Sequence, residues 1–137
     1  ITPAEFKEMD EKGNFALKWY IYGLYYGIPI EIEDYLKKGH PVIINVSRTI
    51  VKKAREQYDN VKVIFIDVPF NITYQRIKDR KRENEELLKE RIERARKNQE
   101  FPDADVVIDN SGDLDDAIDV FLKYLLEVIN KSKEEKN

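Results

Sequence analysis

Arg80 and Arg91 lie eleven residues apart in the stretch "RIKDRKRENEELLKERIERARK", with Arg82 between them. A guanidinium offers phosphate a planar fork of two parallel, charge-assisted hydrogen bonds, each contributing about 1.5–3 kcal/mol. Eleven residues span about three turns of a continuous helix, so these arginines converge on one phosphate only if the chain turns near Asn84. The competing reading pairs them with glutamates at i±4 for a few tenths of a kcal/mol each. A second candidate is the phenol pair Tyr25 and Tyr26 in "GLYYGIPIEIEDYL", which either fills a core or points hydroxyls at an anion. Lys18 and Arg48 follow the same cationic logic with less specificity. Asp67 and Asp109 each end an apolar run and either bind metal or cap a turn. His40, in the "KKGHP" turn, reads as a surface residue, and Trp19 as core.

The 137 residues are enough for about one domain with its own core. Hydrophobic residues make up 42% and charged residues 37%, a globular balance rather than a disordered one. No apolar run is long enough to span a bilayer, and cysteine is absent, which excludes disulfides and thiolate zinc sites. These features suit a cytoplasmic protein, and the Lys- and Glu-rich surface is a compositional hint of heat adaptation. The net charge of −3 is unevenly spread. Residues 76–97 carry ten Lys or Arg against six Asp or Glu, whereas residues 98–137 carry four against eleven. A basic segment in an acidic chain suits closure over a small polyanion better than a nucleic-acid surface. The sequence starts at Ile1 inside a helix start, with Thr2 as N-cap and Pro3 behind it; the expectation is that residues once preceded it.

These candidates need elements to position them. A helix over 3–12 leads through Gly13 to the extended aromatic stretch "NFALKWYIYGLYYG", and a helix over 30–38 stops at Gly39. "PVIINV", "VKVIFIDVP" and "DVVIDN" read as buried strands of a parallel sheet. Helices are expected over 49–58, 71–80, 84–98 and 113–130. The alternation predicts an α/β fold, a three-layer arrangement of parallel sheet with flanking helices. Ligands of such sheets bind beyond the carboxyl ends of the strands, where Asn45–Arg48, Asp67–Pro69 and Asp109–Ser111 stand.

Taken in order, "FALKW…GLYYGIPIEI", "VIINVSR", "KDRKRENEELLKERIERA" and "VVIDNSG" resemble the ribose 1,5-bisphosphate phosphokinases, a branch of the guanylate kinase superfamily. The resemblance runs from about Thr2 to Leu126. It implies a P-loop kinase fold, truncated at its N-terminus, with ATP as donor and Mg²⁺ bridging its phosphates. The second tyrosine of the family's "YYG" motif binds the acceptor phosphate, which here is Tyr26 with Tyr25 packed beneath it. Two lid arginines eleven apart act on the phosphoryl in flight, and Arg80 and Arg91 match them. Arg82 and Glu83 match the lid of the ribose bisphosphate branch, although Lys81 replaces its glycine. Asn45 and Arg48 match the branch's "VNGSR", with Val46 in place of glycine, and Asn110 falls in the loop beside the donor adenine. Lys18 completes the expected substrate-binding set, and no protein metal ligand is expected.

Two departures shape the functional expectation. Guanylate kinases read guanine with a carboxylate and a hydroxyl at the positions of Leu17 and Ile28, neither of which can hydrogen-bond a base. The family's phosphate-binding loop, G-x-x-x-x-G-K-[ST], occurs nowhere in the 137 residues. The expectation is a single domain over 1–137, with an acceptor-binding part at 1–30, core at 31–75 and 99–130, and a lid at 76–98. Its activity would be phosphoryl transfer to ribose 1,5-bisphosphate, with the chain inactive alone. Partners would be small phosphorylated molecules rather than nucleic acid or membrane, with a homodimer possible through an exposed gap in the sheet. The alternatives are a non-catalytic guanylate kinase-like binding domain and a kinase with another acceptor.

Overall fold

The computed structural model describes residues 1–80 and 84–136. The chain divides into two compact units, Ile1–Val61 and Lys62–Asn137.

In the first unit, helix α1 (Pro3–Glu11) begins with a reciprocal capping box. Thr2 Oγ1 accepts from the Glu5 backbone N–H at 3.2 Å, and the Glu5 carboxylate accepts from the Thr2 N–H at 2.6 Å. The chain leaves α1 through Gly13 at φ +70° and enters an antiparallel hairpin of β1 (Phe15–Ile21) and β2 (Leu24–Pro29). Tyr22 (φ 53°) and Gly23 (φ 76°) form its two-residue turn. A positive φ at both central positions is what matches a tight turn to the twist of a hairpin. The ladder register shifts between Phe15 and Leu17, so Ala16 is an extra residue, a β-bulge. The bulge puts Phe15 on the face opposite Leu17 and Trp19, where its ring stacks on Phe6 of α1 at 4.6 Å. That ring also covers Gly27, where a Cβ would lie 2.4 Å from it. Gly27 therefore sits inside a strand to leave room for Phe15, whereas Gly23 makes the turn.

Helix α2 (Ile32–Lys37) follows β2, carries Glu33 and Asp34 in its first turn, and is followed by Gly39 at φ 79°. A 3-10 turn (Arg48–Ile50), capped by Ser47, leads into α3 (Val51–Gln57). Leu17, Ile50 and Ala54 form the buried cluster of this unit, with Trp19, Ile28, Ile44, Val46 and Tyr58 packed against it.

The expected strand "PVIINV" is a point of difference, because residues 41–46 have no regular structure and join no ladder among the described residues. Val42, Ile44 and Val46 are half-buried while Pro41, Ile43 and Asn45 are exposed, the alternation of a strand covered on one face. An apolar run dictates burial, but a strand also needs a neighbour for its backbone N–H and C=O groups.

The second unit holds β3 (Ile64–Asp67) and β4 (Val106–Asp109), paired in parallel from Ile64↔Val106 to Asp67↔Asp109. Parallel neighbours need a long crossover, supplied here by α4 (Phe70–Arg80) and α5 (Glu85–Lys97). The two helices pack side by side, and Arg96 of α5 lies over the Phe70 ring at 5.4 Å. The end of α5 thus meets the start of α4, as in an antiparallel hairpin. Helix α6 (Leu114–Glu135), capped by Asp113, follows β4. Ile108 is the most buried side chain of this unit, at 2% exposure. The described sheets are thus one antiparallel and one parallel pair. The α/β character is as expected, and the continuous three-layer parallel sheet is not what these ladders form.

Candidate functional site

Strand alternation decides which of the candidate residues share a face. The pairs Leu17↔Ile28 and Trp19↔Tyr26 lie on the face of the hairpin that meets the Leu17–Ile50–Ala54 cluster. Trp19 and Tyr26 stack almost parallel, 5° between planes and 5.4 Å between centroids. Lys18, Tyr20, Tyr25 and Gly27 belong to the opposite face. There Tyr25, 59% exposed, contacts Phe6 at 5.0 Å and Tyr20 at 4.7 Å, and the Lys18 ammonium donates to the Asp10 carboxylate of α1. Tyr25 and Lys18 are therefore parted from Tyr26 by the thickness of the hairpin. Adjacent residues of a strand cannot present both side chains to one ligand.

The positions aligned with base-reading side chains are occupied by packing. Leu17 is 2% exposed, and Ile28 is half-buried on the same cluster. Asn45 is exposed at the end of the 41–46 run, and half-buried Arg48 opens the 3-10 turn. That turn is held by the Ser47 hydroxyl, which lies 3.0 Å from the Thr49 hydroxyl.

In the second unit the arginine-bearing stretch forms two helices rather than one. Helix α4 ends at Arg80, and α5 is capped by Asn84, whose side-chain oxygen accepts from the Leu87 N–H at 2.9 Å. Arg80 and Arg91 thus stand on the two arms of one helical hairpin instead of along a single helix. Arg91 is half-buried, with its Nε withdrawn from solvent. Arg82 and Glu83 lie outside the described residues.

The loop after β4 is strongly ordered by its own side chains. Asp109 Oδ1 accepts from the Ser111 N–H at 2.8 Å, and the Ser111 hydroxyl and backbone donors hold the Asp109 carboxyl below its ordinary range. Asn110 donates its N–H to the Asp67 carbonyl at 2.8 Å, while its own carbonyl accepts from Arg76 Nη1 at 3.0 Å. Arg76 escapes the sequence reading, although it stands one helical turn before Arg80 on α4. The loop and one arm of the arginine-bearing hairpin are therefore joined directly. Among the described residues no group of three His, Asp or Glu side chains gathers into a metal site.

The second unit thus joins an arginine-bearing helical crossover to the loop after a parallel strand. The chain belongs to the guanylate kinase family, whose model matches residues 2–129. Among its relatives, the ribose 1,5-bisphosphate phosphokinase of Pseudomonas paraeruginosa is 34% identical over 129 residues, 91% of this chain and 68% of the relative. That of Pectobacterium parmentieri is 37% identical over 127 residues, with the same shares. That of Bradyrhizobium diazoefficiens is 36% identical over 115 residues, 84% of this chain and 58% of the relative. The chain thus spans 58–68% of the length of these relatives.

Proposed function

We propose that this chain carries the acceptor and lid parts of an ATP-dependent kinase that phosphorylates ribose 1,5-bisphosphate. In that reaction a terminal oxygen of the C1 phosphate attacks the γ-phosphorus of ATP. The bond from the γ-phosphorus to the β,γ-bridging oxygen breaks, giving 5-phosphoribosyl 1-diphosphate and ADP. The observation that carries this reading is the buried Leu17 beside Ile28 on the acceptor face. A purine edge against two packed aliphatic side chains would leave each polar group unpaired, at about 1–3 kcal/mol apiece. A sugar bisphosphate has no base to leave unpaired. The relatives named above support the same acceptor.

In this reading the Tyr26 hydroxyl donates to a phosphate of the acceptor, and Asn45 and Arg48 bind the acceptor from the loop before α3. Tyr25 and Lys18, on the opposite face, hold α1 against the hairpin. Arg80, Arg82 and Arg91 neutralise the transferring phosphoryl group, and Arg76 steadies the loop of Asn110 beside the donor base. Catalysis of this kind is positioning and charge stabilisation. ATP supplies the phosphoryl group, and Mg²⁺ would be carried on its phosphate oxygens, with no described side chain assigned to it. The Walker loop that cradles those phosphates has no counterpart in the 137 residues, so these residues alone are not expected to turn over. Among the described residues no helix is long and apolar enough to cross a membrane. The phosphorylated metabolites of this reading place the enzyme in the cytoplasm.

The test is an acceptor comparison with the full-length protein, ATP and Mg²⁺, following 5-phosphoribosyl 1-diphosphate by ³¹P NMR. Ribose 1,5-bisphosphate is expected to be consumed and GMP left untouched; equal or faster phosphorylation of GMP would overturn the reading. In the same assay Arg91→Ala should lower turnover by about 10³-fold, and near-normal turnover would remove Arg91 from the lid.

A further inference from the structure

The inner face of the hairpin is tied to its neighbours by one continuous line of hydrogen bonds. Ala16, the extra residue of the bulge, is left outside the regular ladder, and its carbonyl accepts from Gln57 Nε2 at 2.9 Å. The same nitrogen donates to the Tyr58 hydroxyl at 2.9 Å, which in turn donates to Glu33 Oε1 at 2.9 Å. Three elements meet in this line: the bulge of β1, the end of α3 and the first turn of α2. The Tyr58 ring packs on the Leu17–Ile50–Ala54 cluster, as does Trp19, whose indole lies parallel to Tyr26.

We infer that Gln57 and Tyr58 are positioning residues for the Tyr26 hydroxyl, clasping β1, α2 and α3 so that the Trp19–Tyr26 pair has one fixed place on the cluster. This rests on the reading of Tyr26 as donor to the acceptor phosphate. The physical reason for a clasp is that apolar packing is non-directional. Aliphatic side chains alone let a hairpin slide over a helix by fractions of an ångström, whereas hydrogen bonds have a set length and angle. Displacement of a positioning group by about 1 Å can cost about 10²-fold in rate. The clasp is anchored on the carbonyl of the extra residue of the bulge, so it holds β1 at the point where its register is set. Burial, and then the Glu33 carboxylate, push the Tyr58 phenol above its usual value of 10, so the hydroxyl keeps its proton for Glu33 throughout the neutral range.

Tyr58→Phe removes the hydroxyl and keeps the packed ring, so the fold should survive. In the full-length protein it is expected to raise the KM for ribose 1,5-bisphosphate about threefold to tenfold and to leave the KM for ATP unchanged. Glu33→Gln retains an accepting oxygen and should behave like wild type, whereas Glu33→Leu should reproduce Tyr58→Phe. A Tyr58→Phe enzyme with a lowered melting temperature and an unaltered acceptor KM would overturn the clasp, since that is what a purely structural bond predicts. Trp19 is the only tryptophan of these 137 residues, so the part of the fluorescence that a Trp19→Phe control removes reports on this face without any turnover. If the wild-type enzyme phosphorylates no ribose 1,5-bisphosphate, the sugar reading fails by itself and titration with inorganic phosphate decides the clasp. Weaker quenching of Trp19 by phosphate in Tyr58→Phe than in wild type supports it, and identical titrations overturn it.

Discussion

Gly27 shows how much a single missing Cβ can decide. It occupies the middle of β2, where glycine normally weakens a strand, and its space is taken by the Phe15 ring. Gly27→Ala should destabilise the protein by about 1–3 kcal/mol, the usual range for overpacking. Phe15→Leu in the same chain should recover part of that loss. Chemical denaturation followed by Trp19 fluorescence measures both, and a Gly27→Ala protein as stable as wild type would show that the ring does not need the gap. The stretch GLYYG is visible in the sequence, but nothing in it separates the roles of Gly23 and Gly27. In the fold they do different jobs, a turn at Gly23 and a clearance at Gly27.

At the scale of the element, the start of α1 links sequence to pH dependence most directly. Thr2 and Pro3 announce a capped helix and take the expected places, and the structure adds Glu5 as the reciprocal partner of the capping box. The backbone and hydroxyl of Thr2 hold the Glu5 carboxyl below its ordinary value of 4.5. A carboxyl with a depressed folded pKa contributes stability above its unfolded value, and that contribution is lost as pH falls through the folded one. Helix α1 should therefore loosen below about pH 4.5, and Thr2→Ala should loosen it at neutral pH and blunt the acid response. NMR amide shifts of residues 3–8 across an acid titration would check this; a response unchanged by Thr2→Ala would discount the capping box. The hairpin is a contrasting case. Its extended character is plain in the sequence, but Lys18 and Tyr25 face away from Tyr26 because of register, and the Phe15 face follows from the bulge at Ala16.

At the scale of the molecule, burial is concentrated in a few side chains. Leu17 anchors the first unit and Ile108 the second, each at 2% exposure. Leu17→Ala should cost about 2–5 kcal/mol, lowering the urea midpoint reported by Trp19. It should also leave GMP a non-substrate, because a cavity supplies no hydrogen-bonding group. A loss of stability below about 0.5 kcal/mol would mean that the cluster collapses onto the smaller side chain. The exposed faces are equally specific. Ile43, Ile66 and Val107, each about half exposed, come from the three runs whose composition predicts burial on both faces.

Local matters are legible in the residues themselves: where helices start, which runs are apolar, the spacing of Arg80 and Arg91, and the family to which the motifs belong. These depend on caps, periodicity and residue chemistry within a few positions of one another. The end of α6 is not among them, since the helix runs to Glu135 rather than to the expected 130. The folded chain was needed to settle which face each hairpin residue occupies, that residues 41–46 find no ladder partner among those described, and that Gln57 reaches the carbonyl of Ala16 across 41 residues. Strand pairing, register and long-range hydrogen bonds require two distant segments to meet, and neither segment specifies the meeting alone.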